Sequence, residues 1–261
     1  MEELNRITLT GSTGSIGLEF PKKCLKLYTR LESPTNKMIF EINRLKIKPK
    51  TLIHLSGLVS TKNCKRNPKK AYELNVLGAM KWYKASKYTG IKNFIFISTS
   101  HVYKSIKSEN VKINYGFETR PNNIYGKSKL IAEKKLKNLS KIKGYPNLVI
   151  IRIFSVLSFN ARKNFLVNDL LKKKRTKDYS TIYGVNIQRD FLASKIIAKR
   201  ILNISLSRKK KKIYHVCSGK SKTIGQISKQ ILGNEFYNKC KKKKLYDNNW
   251  LSLIGKETLI I

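Results

Sequence analysis

Ile7-Thr-Leu-Thr-Gly11-Ser-Thr-Gly14-Ser-Ile-Gly17 is the stretch on which the reading of this 261-residue chain turns. A short apolar run, Ile7 to Leu9, leads into three glycines at three-residue intervals, and an apolar segment follows. Strand, glycine turn and helix in that order form a cradle for phosphate. The first glycine permits a tight turn, and the second lets backbone N–H groups approach an anion. The third lets a helix lie close on the strand with its N-terminal dipole facing the charge. The spacing is G-x-x-G-x-x-G. Pro21 then falls inside the expected helix, where proline costs about 3 kcal/mol or forces an early stop. The chain is expected to turn there into a second strand within Cys24–Arg30.

Three further segments read as strands. Thr51-Leu-Ile-His54-Leu-Ser-Gly57 is apolar and ends in small residues. Asn93-Phe-Ile-Phe-Ile-Ser98-Thr99-Ser-His-Val-Tyr103 ends in hydroxyls, and Leu148-Val-Ile-Ile-Arg152-Ile-Phe154-Ser155 carries an arginine after its apolar run. Helical patterns separate them, at residues 70–88, which contain Asn75, and at 125–141. Alternation of this kind predicts a parallel sheet with ligands at the carboxyl ends of its strands. The glycine loop, Leu55–Leu58, Thr99 and Phe154–Ser155 all fall there. In the second helix, Tyr125 and Lys129 lie one turn apart on one face. A phenol ionises near pH ~10, and an ammonium within about 4–6 Å favours phenolate. The pair therefore reads as a proton-transfer device.

Taken in order, Thr10-Gly-x-x-Gly-x-x-Gly17, His54-Leu-Ser-Gly, Asn75-Val-Leu-Gly78, Ser98-Thr-Ser-His-Val-Tyr, Tyr125-x-x-x-Lys129 and Arg189-Asp-Phe resemble the extended short-chain dehydrogenase/reductase family. The similarity is to its NAD-dependent epimerase/dehydratase group, which acts on nucleotide sugars, and it runs from about residue 6 to 233. It implies an α/β fold, a Rossmann-type doubly wound parallel sheet with a small C-terminal substrate lobe. Residues 1–157 would form the NAD(P)-binding domain. Residues 158–261 would form mostly the lobe, with segments returning to the sheet. The resemblance makes Thr99, Tyr125 and Lys129 catalytic. It places Gly11, Gly14, Ser15, Ile16, Gly17, Leu55, Ser56, Gly57, Asn75, Tyr125, Lys129 and Phe154 against NAD or NADP. Thr99, Ser155 and Arg189 would meet the substrate, with Arg189 gripping a diphosphate. It also implies a homodimer. Structural alternatives stand beside these roles: Thr99 as a cap, Asn75 as a tie between strand ends, His54 as a packed strand residue. His101 falls near the site.

Dehydratases of the family carry Asp-Glu after the threonine. This chain has Ser100 and His101, so the resemblance implies epimerisation or 4-keto reduction rather than 4,6-dehydration. It departs from the family between Gly17 and Leu52, where only 34 residues intervene. The β2–β3 region is expected to be shortened. Arg30 there would favour the 2′-phosphate of NADP, and Glu32 would favour the free ribose of NAD. Two alternatives to a nucleotide-sugar enzyme are a reductase of a non-sugar carbonyl on the same scaffold and a catalytically weak relative that serves as a binding or RNA-associated protein.

The net charge is +41, with 45 Lys, 11 Arg, 11 Glu and 4 Asp. Such a field attracts anions. No nucleic-acid-binding motif accompanies it, and the basic residues are scattered as well as clustered, which fits AT-rich codon usage without a specific nucleic-acid partner. Cys24, Cys64, Cys217 and Cys240 have neither metal spacing nor a disulfide pattern, so no metal is expected. The start Met-Glu-Glu-Leu-Asn-Arg is too polar for a signal peptide, and no apolar run approaches ~18 residues. A cytoplasmic protein without membrane insertion is the expectation.

Overall fold

The structure, a computed structural model, describes residues 2–106, 111–160, 165–208, 210–245 and 254–255. Parts of the expected lobe (161–164, 209, 246–253 and 256–261) lie outside the described residues. Six strands form one sheet: β1 Ile7–Thr10, β2 Leu25–Leu27, β3 Thr51–His54, β4 Asn93–Thr99, β5 Asn147–Ile153 and β6 Ile213–Val216. Their order is β6-β5-β4-β3-β1-β2, and every neighbouring pair is parallel.

In the full doubly wound sheet two strands lie outside the first on one side. Here β2 alone does, so the shortening expected from the sequence is the loss of an edge strand. One helix, α1 (Thr35–Asn43), fills the connection from β2 to β3.

Parallel strands buried on both faces read as continuous apolar runs, and β4 and β5 do. One face packs Leu52, Phe94, Phe96 and Ile150 against Met38 and Ile42 of α1, Trp82 and Tyr83 of α2 (Gly78–Lys87), and Leu136 of α3 (Ile124–Leu139). The opposite face packs Ile7, Leu9, Ile95 and Ile151 against Ile197, Ile201 and Ile204 of α4 (Ser194–Leu206).

The helix expected after the glycine loop is absent. A single 3₁₀ turn, Gly17–Glu19, stands in its place. Pro21 supplies the reason: it offers no N–H, and its ring would strike the carbonyl of Gly17. Phe20 and Cys24 still reach the core, so the turn keeps the anchoring contacts of the lost helix without its length. The shared loop end of the sheet is closed by short pairings: Ser155–Leu157 with Phe191–Ala193, Gln188–Arg189 with Lys222–Thr223, and Lys112–Ile113 with Ile254–Gly255.

Candidate active site

A cavity of about 300 Å³ opens at the carboxyl ends of β1, β3, β4 and β5. Gly11, Gly14, Ser15, Ile16 and Gly17 form its floor, Leu55, Ser56 and Gly57 one wall, and Tyr125 and Lys129 its far end. Gly11 has φ +72°, and a Cβ there would lie 2.8 Å from the Ser56 amide nitrogen. The turn therefore needs glycine both for its backbone and for the close passage of the next loop. Among the described residues the Ser15 and Ile16 amides make no hydrogen bond within the protein. They are donors an anion can take, without the dipole of a following helix.

At the far end, Asn123 caps α3 by accepting the Gly126 N–H at 2.9 Å. The helix start sits so tightly on the loop after β4 that a Cβ at Gly126 would collide with the His101 carbonyl. This contact sets Tyr125 beside the end of β4, with its phenol near Thr99. Thr99 Oγ1 accepts the His101 amide at 3.2 Å, so Thr99 is a cap that stands next to the phenol. Burial pushes the Tyr125 pKa above its usual value, with the neighbouring Thr99 hydroxyl opposing.

Lys129 is 2% exposed. Its Nζ donates to the Ile97 carbonyl at 2.8 Å and lies 4.7 Å from the centre of the Phe96 ring. Burial lowers its pKa to about 8, with Glu133 and Cys64 acting in the other direction. The expectation that Lys129 draws the phenol pKa downward does not hold in this arrangement. The ammonium is bonded to a strand carbonyl, and burial dominates the phenol. Tyr125 rests as a protonated phenol.

Behind these groups stands an extensive set of supporting bonds. Asn75 lies in a π-helical turn, Glu73–Leu77, a distortion frequent at functional sites. Its Oδ1 accepts the Leu58 amide at 2.7 Å, and its Nδ2 donates to the Leu58 carbonyl at 3.0 Å and to Ser128 Oγ at 2.9 Å. Asn75 is thus behind the wall, clamping the Leu55–Leu58 loop to α3 rather than lining the cavity. Beneath Lys129, Glu133 and Arg152 form a buried two-pronged pair at 3.0 and 2.6 Å. Ser98 donates to the same carboxylate at 2.5 Å, and Arg152 reaches the Tyr103 hydroxyl at 2.7 Å.

Other expected contacts are placed elsewhere. Phe154 packs against His215 at 5.3 Å between ring centres and does not line the cavity. Arg30 is exposed and borders a separate surface pocket with Lys37, Phe40 and Arg44. The cause lies in β2, which ends at Leu27. Tyr28 and Thr29 then give their amides to the Glu41 carboxylate at 2.5 and 2.9 Å, leading the chain off the sheet. Glu32 pairs with Lys70 at 2.8 Å. His54 is a strand residue, its Nδ1 2.9 Å from Thr10 Oγ1 and its ring stacked between Phe94 and Phe96.

Ser155 and Arg189 are half-buried on the sheet's loop side. Burial lowers the Arg189 pKa to about 10, and its charge is felt by His101. His101 in turn meets Tyr125 edge-on, 5.7 Å between ring centres. Thr13, Val59, Ile97, Ile153 and Phe165 also line the cavity. Ile97 and Ile153 are late residues of apolar strands, a signal visible in the sequence. Phe165, at the start of the helix Leu166–Arg175, has no comparable signal. Among the described residues no cluster of His, Cys, Asp or Glu suits a metal ion, and no helix is long and apolar enough to cross a membrane.

Glycine turn and capped Tyr-x-x-x-Lys helix meet in one cavity, with the strand-end Thr99 beside the tyrosine, and the family model of the RmlD substrate binding domain matches residues 5–246. The chain belongs to that family. One curated relative is the GDP-6-deoxy-D-mannose reductase of Pseudomonas aeruginosa, 23% identical over 186 residues. The match takes in 69% of this chain and 61% of that reductase's length. The solved structure of RMD from Pseudomonas aeruginosa with NADPH superposes with a TM-score of 0.80 at 20% identity, covering 97% of this chain and 90% of the other. The UDP-glucose 4-epimerase of Thermus thermophilus with NAD gives 0.81 at 18% identity, covering 97% and 90%. These likenesses bear out the doubly wound α/β fold of an RmlD-family protein.

Proposed function

We propose that this RmlD-family chain binds NAD or NADP in the glycine-floored cavity and reduces the 4-keto group of a nucleotide sugar. The observation that carries this reading is the buried, protonated Tyr125 phenol, set beside Thr99 and facing the same cavity as Lys129. A buried phenol is a proton donor in waiting, which suits reduction, where the new alkoxide needs a proton.

The donor set fits the cofactor. The Ser15 and Ile16 amides suit a pyrophosphate. The Lys129 ammonium has three N–H donors and gives one to Ile97, leaving two for ribose hydroxyls. When bound, NAD(P) supplies the hydride. Tyr125 delivers its proton to the sugar oxygen as the carbonyl becomes an alcohol, and Thr99 holds that oxygen in line. Ser155 and Arg189 address the sugar and diphosphate. Residues beyond 157 supply the substrate lobe, and Ser100 and His101 leave no carboxylate to drive loss of water.

Epimerisation is a second reading, supported by the several UDP-glucose 4-epimerases among the chain's relatives. It needs Tyr125 as a base first, so it demands that bound cofactor bring the phenol pKa down. Thermal-shift titration with NADPH and NADH tests both. Saturable stabilisation by one or the other is expected, and none from either at millimolar concentration refutes the proposal.

A further inference from the structure

Asp190 is a buried carboxylate to which the proposed reaction gives no chemistry. It is 1% exposed, and both of its oxygens are taken by hydrogen-bond donors. Oδ1 accepts the Ser218 amide at 2.6 Å and the Ser218 hydroxyl at 2.7 Å. Oδ2 accepts the Gly219 amide at 3.0 Å and the Gly255 amide at 3.2 Å. Burial raises the pKa of the group, and these bonds oppose it by favouring the charged form. Charge-assisted bonds in a buried place are strong and costly to break. Through them one side chain fixes three segments of chain relative to one another.

Each segment leads to the loop side of the sheet. Asp190 follows Arg189 directly, and its own carbonyl accepts the Ser155 amide at 2.9 Å. On one side of it, Gln188–Arg189 pairs with Lys222–Thr223, the strand that follows Ser218 and Gly219. On the other, Phe191–Ala193 pairs with Ser155–Leu157. The third segment, Ile254–Gly255, runs parallel to Lys112–Ile113 in the connection between β4 and α3. Gly255 fills a narrow slot, where a Cβ would collide with Cys217 Sγ and lie 2.8 Å from Phe154 Cζ. The Phe154 ring, expected against the cofactor, packs against this strand instead.

We propose that Asp190 is a positioning residue, a latch that ties the Ile254–Gly255 strand and the Ser218–Gly219 turn to the chain at Arg189, and so sets Arg189 and Ser155 for a nucleoside diphosphate. The carboxylate itself touches no ligand. Its reach is confined to the substrate side, because the glycine turn, Leu55–Gly57, Tyr125 and Lys129 that line the cavity belong to other elements.

The inference rests on the reading of Ser155 and Arg189 as substrate contacts, and the test keeps the two apart. GDP and UDP are the probes, their affinities measured by calorimetry on the full chain saturated with NADPH, and NADPH affinity is measured separately. Arg189→Ala gives the size of the diphosphate contact. Asp190→Asn keeps the shape of the latch but replaces an acceptor oxygen with an NH₂ group. Gly255→Val expels the strand and leaves Asp190 in place. Both should weaken the better-bound of GDP and UDP by about 10-fold or more, with NADPH affinity within about 2-fold of wild type. Adding Arg189→Ala to either should cost less than about 2-fold further, since residues that act through one another are not additive. Ser218→Ala removes a single donor, and a loss of about 3-fold is expected. That milder variant decides the matter if the other two do not fold, and no loss from it overturns the latch. Wild-type GDP and UDP affinity in the latch variants, an equal loss of NADPH affinity, or losses that add to that of Arg189→Ala also overturn it, while cofactor binding still stands. A wild type that binds NADPH but neither GDP nor UDP, or an Arg189→Ala variant that binds them as wild type does, refutes the assigned substrate contacts themselves and takes this inference with them.

Discussion

At the α3 end of the cavity the side chains to which the proposed function gives chemistry are embedded in bonds that come from different elements. Thr99 caps a turn beside the phenol, Asn123 caps a helix while holding an imidazole, and Lys129 is fixed to β4 above the Glu133–Arg152 pair. At the β2 end the polar residues serve one another instead. Glu41 holds the backbone of Tyr28 and Thr29, Glu32 holds Lys70, and Arg30 faces solvent. Elements explain the contrast. β4 and β5 are seven residues long and central, so their ends are rigid platforms for a preorganised site. β2 is a three-residue edge strand with no α-helix between it and the glycine turn. On the proposed function the contrast has a purpose: chemistry needs fixed atoms, and a nucleoside end tolerates a looser and shorter frame.

The largest effect expected falls at the rigid end. Tyr125→Phe removes the proton donor while leaving the ring's packing against Cys64 and Ala71. General acid–base catalysis contributes about 10²–10⁴-fold, so kcat should fall by that factor while NADPH affinity, read by thermal shift, stays within about 2-fold. Retained turnover would show that the over-determined end is a structural joint and would erase the contrast between the two.

Much of that end is legible in the sequence because its side chains are close together along the chain: Asn123, Tyr125 and Lys129 lie within seven residues, and Thr99 stands at a recognisable strand end. The parallel sheet and its shortened β2–β3 region also follow from apolar runs and a residue count. What escapes is long-range. The role of Asn75 depends on a carbonyl 17 residues away in sequence and a hydroxyl 53 away. The outward path of Arg30 depends on Glu41, which sits on the next helix. The lost glycine-loop helix is the instructive intermediate case: Pro21 announces an early stop, and the structure shortens it further, to one 3₁₀ turn. The upward pKa of Tyr125 is hidden because spacing tells that Lys129 shares its face, not that the ammonium prefers the Ile97 carbonyl.

A smaller effect tests the burial of Lys129. Its pKa stands near 8 in the folded protein against an ordinary value of 10.5. Between those values the unfolded chain binds the proton and the folded chain does not, so this group makes stability rise with pH across that window. The destabilisation is fully present below about pH 8 and relieved as pH approaches 10. Urea unfolding of the cofactor-free protein should show wild type gaining about 1–3 kcal/mol on Lys129→Met between pH 8 and pH 10. A constant difference would mean that the ammonium is well solvated, and that the α3 end is no more preorganised than the β2 end.

The smallest effect is expected at the β2 end and bears most directly on the contrast. If Arg30 gripped the 2′-phosphate of NADPH, its removal would delete a charge-assisted hydrogen bond worth about 1.5–3 kcal/mol, or more than 10-fold in affinity for NADPH and almost nothing for NADH. The structure instead leads the chain away at Tyr28–Thr29 and sets Arg30 among Lys37 and Arg44, outside the residues that line the cavity. At that distance it acts only through a screened surface field. Arg30→Ala should therefore shift the ratio of NADPH to NADH affinity by less than about 2-fold at 0.15 M salt. A 10-fold loss confined to NADPH would show that the loop after β2 folds over the cofactor. The β2 end would then be a binding site built by ligand-induced order, and the difference between the two ends would be one of timing rather than of rigidity.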